Sequence, residues 1–350
     1  MDKIDICSLY LSELAQAFKE DGIPAFRAKQ VYGWIIKGAG FDGMKNISAD
    51  MKKQLAQKYT AADNVRIQET FISKKDGTKK FLFALGDGNI VEGVLMKYNY
   101  GNTLCISSQV GCKMGCAFCA STLGGCVRNL TAGEMHNMLI LANALDADKE
   151  HRGVTNIVIM GSGEPMDNYD NVVKFLRLAS SPDGLNISPR NISLSTCGVV
   201  PGIFKLMEED LPITLAISLH APTDDIRNQI MPVNRAFPLK ELLPACAKYI
   251  ERTKRRLVFE YALIGNMNSS VEHAKQLHKL VKGLMCHINL IPLNEVEESP
   301  LKPAKPNEVE AFIKTLEKLG VSATIRREMG SDIQGACGQL RRKYLGEDKR

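Results

Sequence analysis

Cys112, Cys116 and Cys119 stand in the segment Gly111-Cys-Lys-Met-Gly-Cys-Ala-Phe-Cys, a C-x₃-C-x₂-C spacing. Three thiolates this close on one loop can converge on a single metal centre. Closed zinc sites want four ligands, usually as two C-x₂-C pairs, so zinc here would need Cys126 or His136 as well. A [4Fe–4S] cluster held by three cysteines keeps one iron open to a non-protein ligand. The chain has 10 cysteines, and its first twenty residues carry Asp2, Lys3, Asp5, Glu13, Lys19 and Glu20. No secretory apolar segment or membrane span is expected there, and clustered thiols without an export signal point to a reducing, cytoplasmic setting.

A second group of residues has the types needed to hold a small polar ligand. Gly161-Ser-Gly-Glu-Pro165 follows an apolar run. Its glycines allow close backbone approach at Gly163, and Glu164 can accept from an ammonium group. It lacks the third glycine of a dinucleotide fingerprint. Ser195-Thr196, Ser218-Leu219-His220 and Asn294 each end another apolar run. Taken singly, His220 could equally be a hydrogen-bonded structural histidine. Cys105 reads as a strand residue, Glu92 as a solvated strand residue and Cys337 as a thiol in a glycine-flanked loop.

The elements that must position these residues follow from periodicity. Residues 1–62 look helical, with Leu9, Leu11, Leu14 and Phe18 recurring at helical spacing and Val31, Trp34 and Ile35 on one stripe. Residues 63–98 contain apolar runs punctuated by Asp76-Gly77 and Asp87-Gly88, the pattern of antiparallel hairpins. From residue 99 to 350 a strand-then-helix rhythm sets in. Strands are expected at 104–107, 156–160, 192–195, 214–218, 257–263, 288–291 and 323–325. Helices are expected at 131–145, 238–250, 271–284 and 307–319. Repeated β-α units imply an α/β fold whose parallel sheet is curved or barrel-like, with chemistry at the strands' C-terminal ends. The net charge of +6 fits a polyanionic partner. Basic runs at Lys74-Lys75, Lys79-Lys80, Arg252–Arg256, Arg326-Arg327 and Arg341-Arg342-Lys343 are the candidate contacts for such a partner.

The cysteine spacing, with Phe118 beside the last thiol, resembles the radical S-adenosylmethionine superfamily. That resemblance implies a partial (β/α) barrel, with the methionyl amine and carboxylate of S-adenosylmethionine on the open iron. Further segments narrow it: Phe26-Arg-Ala-Lys-Gln, Ser107-Ser-Gln-Val-Gly-Cys, Gly163-Glu-Pro-Met-Asp-Asn-Tyr-Asp-Asn, Ser218-Leu-His-Ala-Pro, Met231-Pro-Val-Asn, Asn289-Leu-Ile-Pro-Leu-Asn and Ala336-Cys-Gly-Gln-Leu. Together they resemble the RNA adenine methyltransferases of the RlmN/Cfr type, and Gly198-Val-Val-Pro favours the RlmN branch. Ser162 departs from that pattern where methionine is usual, and Cys197 where a small hydroxyl residue is expected.

The resemblance implies methylation at carbon 2 of an adenosine in 23S rRNA, before full ribosome assembly, and of the adenosine beside the anticodon in tRNA. The alternatives are the carbon 8 branch, which confers antibiotic resistance, and a non-catalytic RNA-binding metal-cluster protein. Two S-adenosylmethionine molecules are used per turnover, and a low-potential donor such as flavodoxin supplies electrons. By the same resemblance Cys337 accepts a methyl group and Cys105 resolves the covalent intermediate through a transient disulfide. Glu92 accepts a proton, while Gly163, Glu164, Ser195, Ser218, Leu219, His220 and Asn294 bind S-adenosylmethionine. Residues 1–62 are expected to be an RNA-binding helical module, 63–98 a β-hairpin extension and 99–350 the barrel.

Overall fold

The computed structural model describes residues 3–147, 151–340 and the backbone of 343–344. Its main sheet runs through β1 (Val65–Ile72), β2 (Lys79–Leu85), β3 (Asn89–Tyr98), β4 (Gly101–Ile106), β5 (Asn156–Ile159), β6 (Ile192–Thr196), β7 (Thr214–Ser218), β8 (Leu257–Leu263), β9 (Cys286–Pro292) and β10 (Ala323–Ile325). Spatial order follows chain order from β1 to β10. Pairing is antiparallel from β1 to β4 and parallel from β4 to β10. The hairpin strands are therefore the antiparallel edge of the barrel sheet, joined to it where Val94 pairs with Cys105. Hairpins need only two-residue turns, whereas each parallel step needs a crossover, and helices supply most of these.

Among the described residues ten α-helices lie outside this path: α1 (Leu11–Glu20), α2 (Phe26–Ile35), α3 (Ala49–Lys58), α4 (Ala132–Asp146), α5 (Tyr169–Ser180), α6 (Val200–Leu206), α7 (Asp224–Ile230), α8 (Leu239–Thr253), α9 (Val271–Val281) and α10 (Pro306–Lys318). Thr131 caps α4: its hydroxyl accepts from Glu134 N at 3.0 Å, and Glu134 Oε2 accepts from Thr131 N at 2.9 Å. This reciprocal pair fixes the start of α4 one residue after the position read from the sequence. Nearly every residue from Ala132 to Ile140 is buried, because α4 lies between the sheet and the N-terminal helices. Its polar groups are met from that side: His136 Nδ1 contacts the Cys7 carbonyl at 3.0 Å, and Asn137 donates to the Ala62 carbonyl at 2.7 Å.

In the N-terminal module Leu14, Phe18, Val31 and Ile35 form the core with Tyr32, Leu55 and Tyr59. Leu9, Leu11 and Trp34 only pack against its margin. No described helix is long and apolar enough to cross a membrane.

After β10 the chain crosses to the hairpin edge as a strap, residues 326–340. Asp332 accepts from Ser73 Oγ at 2.7 Å and Lys74 N at 3.0 Å, and Asp76 accepts from Gly330 N at 2.9 Å. Gly330 has φ +65°, and a Cβ there would lie 2.9 Å from Thr78 Cγ2, so both conformation and space require glycine. Met329 and Leu340 pack on Val94, Met96 and Cys105. That packing is why β3 is buried from Asn89 to Met96 instead of alternating.

Candidate active site: a cysteine loop facing a cysteine-bearing strap

One cleft of about 950 Å³ opens at the C-terminal ends of the parallel strands. Cys112, Cys116 and Cys119 line it from the loop after β4, and Cys337 lines it from the strap. Gly163 and Glu164 follow β5, Ser195 and Ser218 end β6 and β7, and His220 and Asn294 lie just beyond β7 and β9; all line the same cleft.

The cysteine loop is tied down by its own backbone and by three neighbours. Cys119 N donates to Cys116 O at 3.1 Å, and Thr122 Oγ1 donates to Cys119 O at 2.9 Å. Ala117 N reaches Ile230 O at 2.9 Å, Ser299 Oγ reaches Ala117 O at 2.8 Å, and Ala120 N reaches Gly338 O at 2.8 Å. Burial pushes Cys112 up to about 12 and raises Cys116 and Cys119 as well. For Cys116, repulsion from Cys119 and then Cys112 adds to burial. Crowded, dehydrated thiols of this kind lose their protons to a cationic iron centre, not to water, so the donor set fits a cluster. Among the described residues no three His, Cys, Asp or Glu side chains surround a single-ion position. His136, the possible fourth zinc ligand, faces Cys7 in the N-terminal module. Cys126 Sγ rests 3.9 Å from the Arg128 carbonyl.

The rim after β5 is held close. Gly163 has φ +109°, and a Cβ would meet Gln109 Cβ at 2.7 Å. Glu164 is buried, with Oε1 accepting from Met166 N at 3.0 Å and Oε2 from Cys197 N at 2.8 Å. Burial still raises its pKa, because these bonds only partly replace water. Ser162 is buried, and its hydroxyl has no hydrogen-bond partner among the described residues.

Ser195 Oγ and Ser218 Oγ sit 3.4 Å apart on neighbouring strands. His220 has φ +54° and accepts at Nδ1 from Ala262 N at 2.9 Å, which leaves Nε2 as the N–H donor. Burial first, then Arg227, drives its pKa down to about 3, so the ring is neutral. Phe118 packs edge-on against it at 4.7 Å between centroids, joining cysteine loop to strand end. Leu219 buries its side chain in the hydrophobic core and does not line the cleft, while its N–H donates to the Glu260 carbonyl at 3.0 Å. Asn294 donates to the Cys337 carbonyl at 3.0 Å.

Cys105 is buried and pushed up to about 12 by burial and then by Cys337. Cys337 is exposed at the cleft wall yet crowded by protein, and its pKa is also raised, desolvation being the largest cause. Glu92 does not line the cleft. It is buried on the strap-facing side of β3, 3.4 Å from Lys80 Nζ, and Lys80 in turn donates to the Gln334 carbonyl at 3.4 Å.

Three site residues escape a reading of sequence. Arg227 is fully buried in α7; it donates to the carbonyls of Leu219 (3.1 Å), Cys197 (2.6 Å) and Ser218 (3.1 Å), and to Asn234 Oδ1 (2.8 Å). It thus binds the two strand ends that carry Ser195 and His220. The Asn234 of Met231-Pro-Val-Asn was its only sequence signal. Glu260 lies buried in β8 and lines the cleft, where the strand run showed only an acidic residue among apolar ones. Arg326 was expected on an RNA-contacting surface and instead points into the cleft. Among the other basic runs, Lys79 pairs with Asp146 at 2.7 Å and Arg255 donates to Ile213 O at 2.8 Å. The Arg341-Arg342-Lys343 run lies outside the described residues except for the Lys343 backbone.

Residues 106–281 match the model of the Radical SAM superfamily, which covers half of the chain and the whole cysteine loop. Fold and site therefore define a radical S-adenosylmethionine enzyme, a class whose chemistry uses an iron–sulfur cluster and that nucleotide. Residues 4–60 match the ribosomal RNA large subunit methyltransferase N-terminal domain. A probable dual-specificity RNA methyltransferase RlmN from Alkaliphilus metalliredigens is 51% identical over 351 residues, covering 100% of this chain and 98% of that protein. The corresponding protein of Lachnoclostridium phytofermentans is 52% identical, covering 98% and 96%. The crystal structure of a radical SAM methyltransferase from Sphaerobacter thermophilus superposes with a TM-score of 0.93 at 38% identity, covering 96% of this chain and 99% of that one. The chain belongs to the RlmN family of radical S-adenosylmethionine RNA methyltransferases.

Proposed function

We propose that this enzyme methylates carbon 2 of adenosine in 23S rRNA before full ribosome assembly, and of the adenosine beside the anticodon in tRNA. The methyl group travels on Cys337. The observation that carries this reading is the single cleft shared by Cys337, the three loop cysteines and the Glu164–Ser195–His220 rim. Carbon 2 lies between two ring nitrogens and is electron-poor, so it cannot attack a sulfonium methyl, and a radical route is required.

Cys112, Cys116 and Cys119 would hold a [4Fe–4S] cluster, which would supply one-electron cleavage of S-adenosylmethionine, with flavodoxin or a similar protein as donor. Gly163, Glu164, Ser195, Ser218, His220 and Asn294, with the backbone of Leu219, seat the nucleotide. Cys337 Sγ first takes the methyl group of one S-adenosylmethionine, with S-adenosylhomocysteine as the leaving group, a reaction suited to a thiolate. The methyl group on Cys337 would then give up a hydrogen atom, the chemistry that a second S-adenosylmethionine would supply, and its carbon would add to adenine. Glu92 takes the ring proton; it shares the strap-facing side of the sheet with Cys105, since Val94, two residues on, pairs with Cys105. Cys105 then attacks the Cys337 sulfur, the Cys105–Cys337 disulfide forming as the bond from that sulfur to the product carbon breaks; a proton from solvent completes the methyl group, and the adduct's one surplus electron would return to the electron-donor system.

Anaerobic reconstitution with RNA and S-adenosylmethionine tests this, with nucleosides from the digested RNA separated against standards. The expected product is 2-methyladenosine. Recovery of 8-methyladenosine alone overturns the assignment of position.

A further inference from the structure

We propose that Arg326 is the electrostatic positioning residue for the cysteine pair, with Glu260 as its anchor: its guanidinium offsets the negative charge on Cys337 sulfur as that sulfur takes the methyl group. The inference rests on the reading of Cys337 as methyl acceptor.

Arg326 leaves β10 with its backbone N–H on Leu290 O at 2.8 Å. Its side chain and Cys337 line the same cleft, from which Arg327 is absent, and all three line the adjoining pocket beneath the strap. Nη1 lies 3.7 Å from Met160 Sδ, and Met160 packs in the small cluster that contains Cys105. The same Nη1 is 3.7 Å from Glu260 Oε2, an ion pair without a hydrogen bond, while Glu260 Oε1 accepts from Asn289 Nδ2 at 3.0 Å. Glu260 thus holds the guanidinium loosely at the floor of the cleft and leaves its charge available to the sulfurs. The ionisable groups acting on Cys337 are Arg326 from beyond β10, Glu260 from β8, Cys105 from β4 and Cys119 from the loop. Arg326 is the cation among them. It lowers the pKa of both Cys105 and Cys337, whereas Glu260 raises that of Cys337. Burial works against the arginine's own charge, yet Cys337, Glu260, Tyr98 and Cys105 together raise its pKa.

In the step concerned the thiol proton leaves to solvent, and the Cys337 Sγ–CH₃ bond forms as the sulfonium S–CH₃ bond breaks. The electron pair of the broken bond stays on the departing sulfur as a neutral thioether. Arg326 neither gives nor takes a proton. It opposes the cost of a thiolate in a crowded, partly dehydrated wall.

The test uses the reconstituted enzyme and two readouts of Cys337, both by peptide mass: its rate of alkylation by iodoacetamide at pH 7.5, and its uptake of labelled methyl from S-adenosylmethionine. Arg326→Met should slow both about tenfold, the effect of one pKa unit on thiolate population. Arg326→Lys should stay within about threefold of the parent, since the charge is kept. Glu260→Gln should be as fast as the parent or faster, because it removes the opposing charge while keeping the Asn289 contact. Arg327→Met, altering the exposed neighbour, should leave the alkylation rate in place. A purely architectural pair predicts that Arg326→Met and Glu260→Gln are both slowed, and that result overturns the proposal. So does an Arg326→Met rate within twofold of the parent. Slowing beyond twofold with Glu260→Gln unslowed upholds it, and Arg326→Gln carries the same comparison if Arg326→Met does not fold. If the parent takes no label on Cys337, the methyl-carrier reading fails, while alkylation still judges the arginine.

Discussion

The two walls of the cleft are built on opposite principles. One is a loop in which three thiols fall within eight residues, tied by its own backbone and by anchors from Ile230, Ser299 and Gly338. The other gathers Cys105 from β4, Cys337 from the strap, Glu260 from β8 and Arg326 from beyond β10, residues far apart in the chain. The first wall has all its thiols in one short segment and needs the rest of the protein for burial and for those three anchors. The second exists only once β10 has joined the sheet and the strap has latched to the β1–β2 hairpin through Asp332 and Asp76. A local motif can bind a cofactor by itself, but chemistry in which two sulfurs act in turn demands partners that can be placed independently.

The largest effect should come from the local wall. Changing Cys112, Cys116 or Cys119 to Ala should abolish nucleotide cleavage, with iron content falling from the roughly four atoms of a [4Fe–4S] centre. Stoichiometric zinc with unaltered behaviour in these variants would break the contrast between the walls.

The assembled wall should fail in two distinguishable ways. Cys337→Ala should take up no methyl group and form no RNA adduct. Cys105→Ala should still be methylated at Cys337 and still add to the base, and covalent protein–RNA should accumulate because release is blocked. A denaturing gel with labelled RNA reads both variants. If neither yields an adduct, or if Cys337→Ala turns over, the division of labour between the cysteines is wrong, while the cluster assignment stands on other residues.

The smallest effect separates the walls by their response to acid. The cysteine loop leans on His220, held neutral with a pKa of about 3, whereas the opposite wall relies on a guanidinium that does not titrate. Below pH 6.5 the unfolded chain protonates this histidine and the folded chain does not, so stability falls as pH drops toward 3. His220 alone should cost about 2 kcal/mol between pH 7.5 and pH 5. His136, lowered by burial to about 4, adds to this in α4, while Asp5, raised by burial to about 6, offsets part of it. Denaturant midpoints at pH 7.5, 6 and 5 should show a shallower decline for His220→Gln than for the parent. Equal slopes would mean the ring is not held neutral by the fold.

By itself the sequence determined the local features. The cysteine spacing, the Gly163-Glu164 turn, the Thr131 cap, the Asp-Gly hairpins and the β-α rhythm all depend on residues within a few positions of one another. Backbone geometry and side-chain period decide these before any long-range contact forms. Tertiary structure alone decided which polar residues became part of the site. Arg326 and Arg327 are adjacent and chemically identical, yet strand alternation at the end of β10 sends one into the cleft and leaves the other exposed. Arg227 reads as one more charge in a short helix until the β6 and β7 ends bring three carbonyls to it. Glu92 reads as a solvated strand residue, and the strap buries it against Lys80. In each case burial set the chemistry: a charge removed from water must find a partner, and only the assembled sheet and its strap determine which partner is within reach.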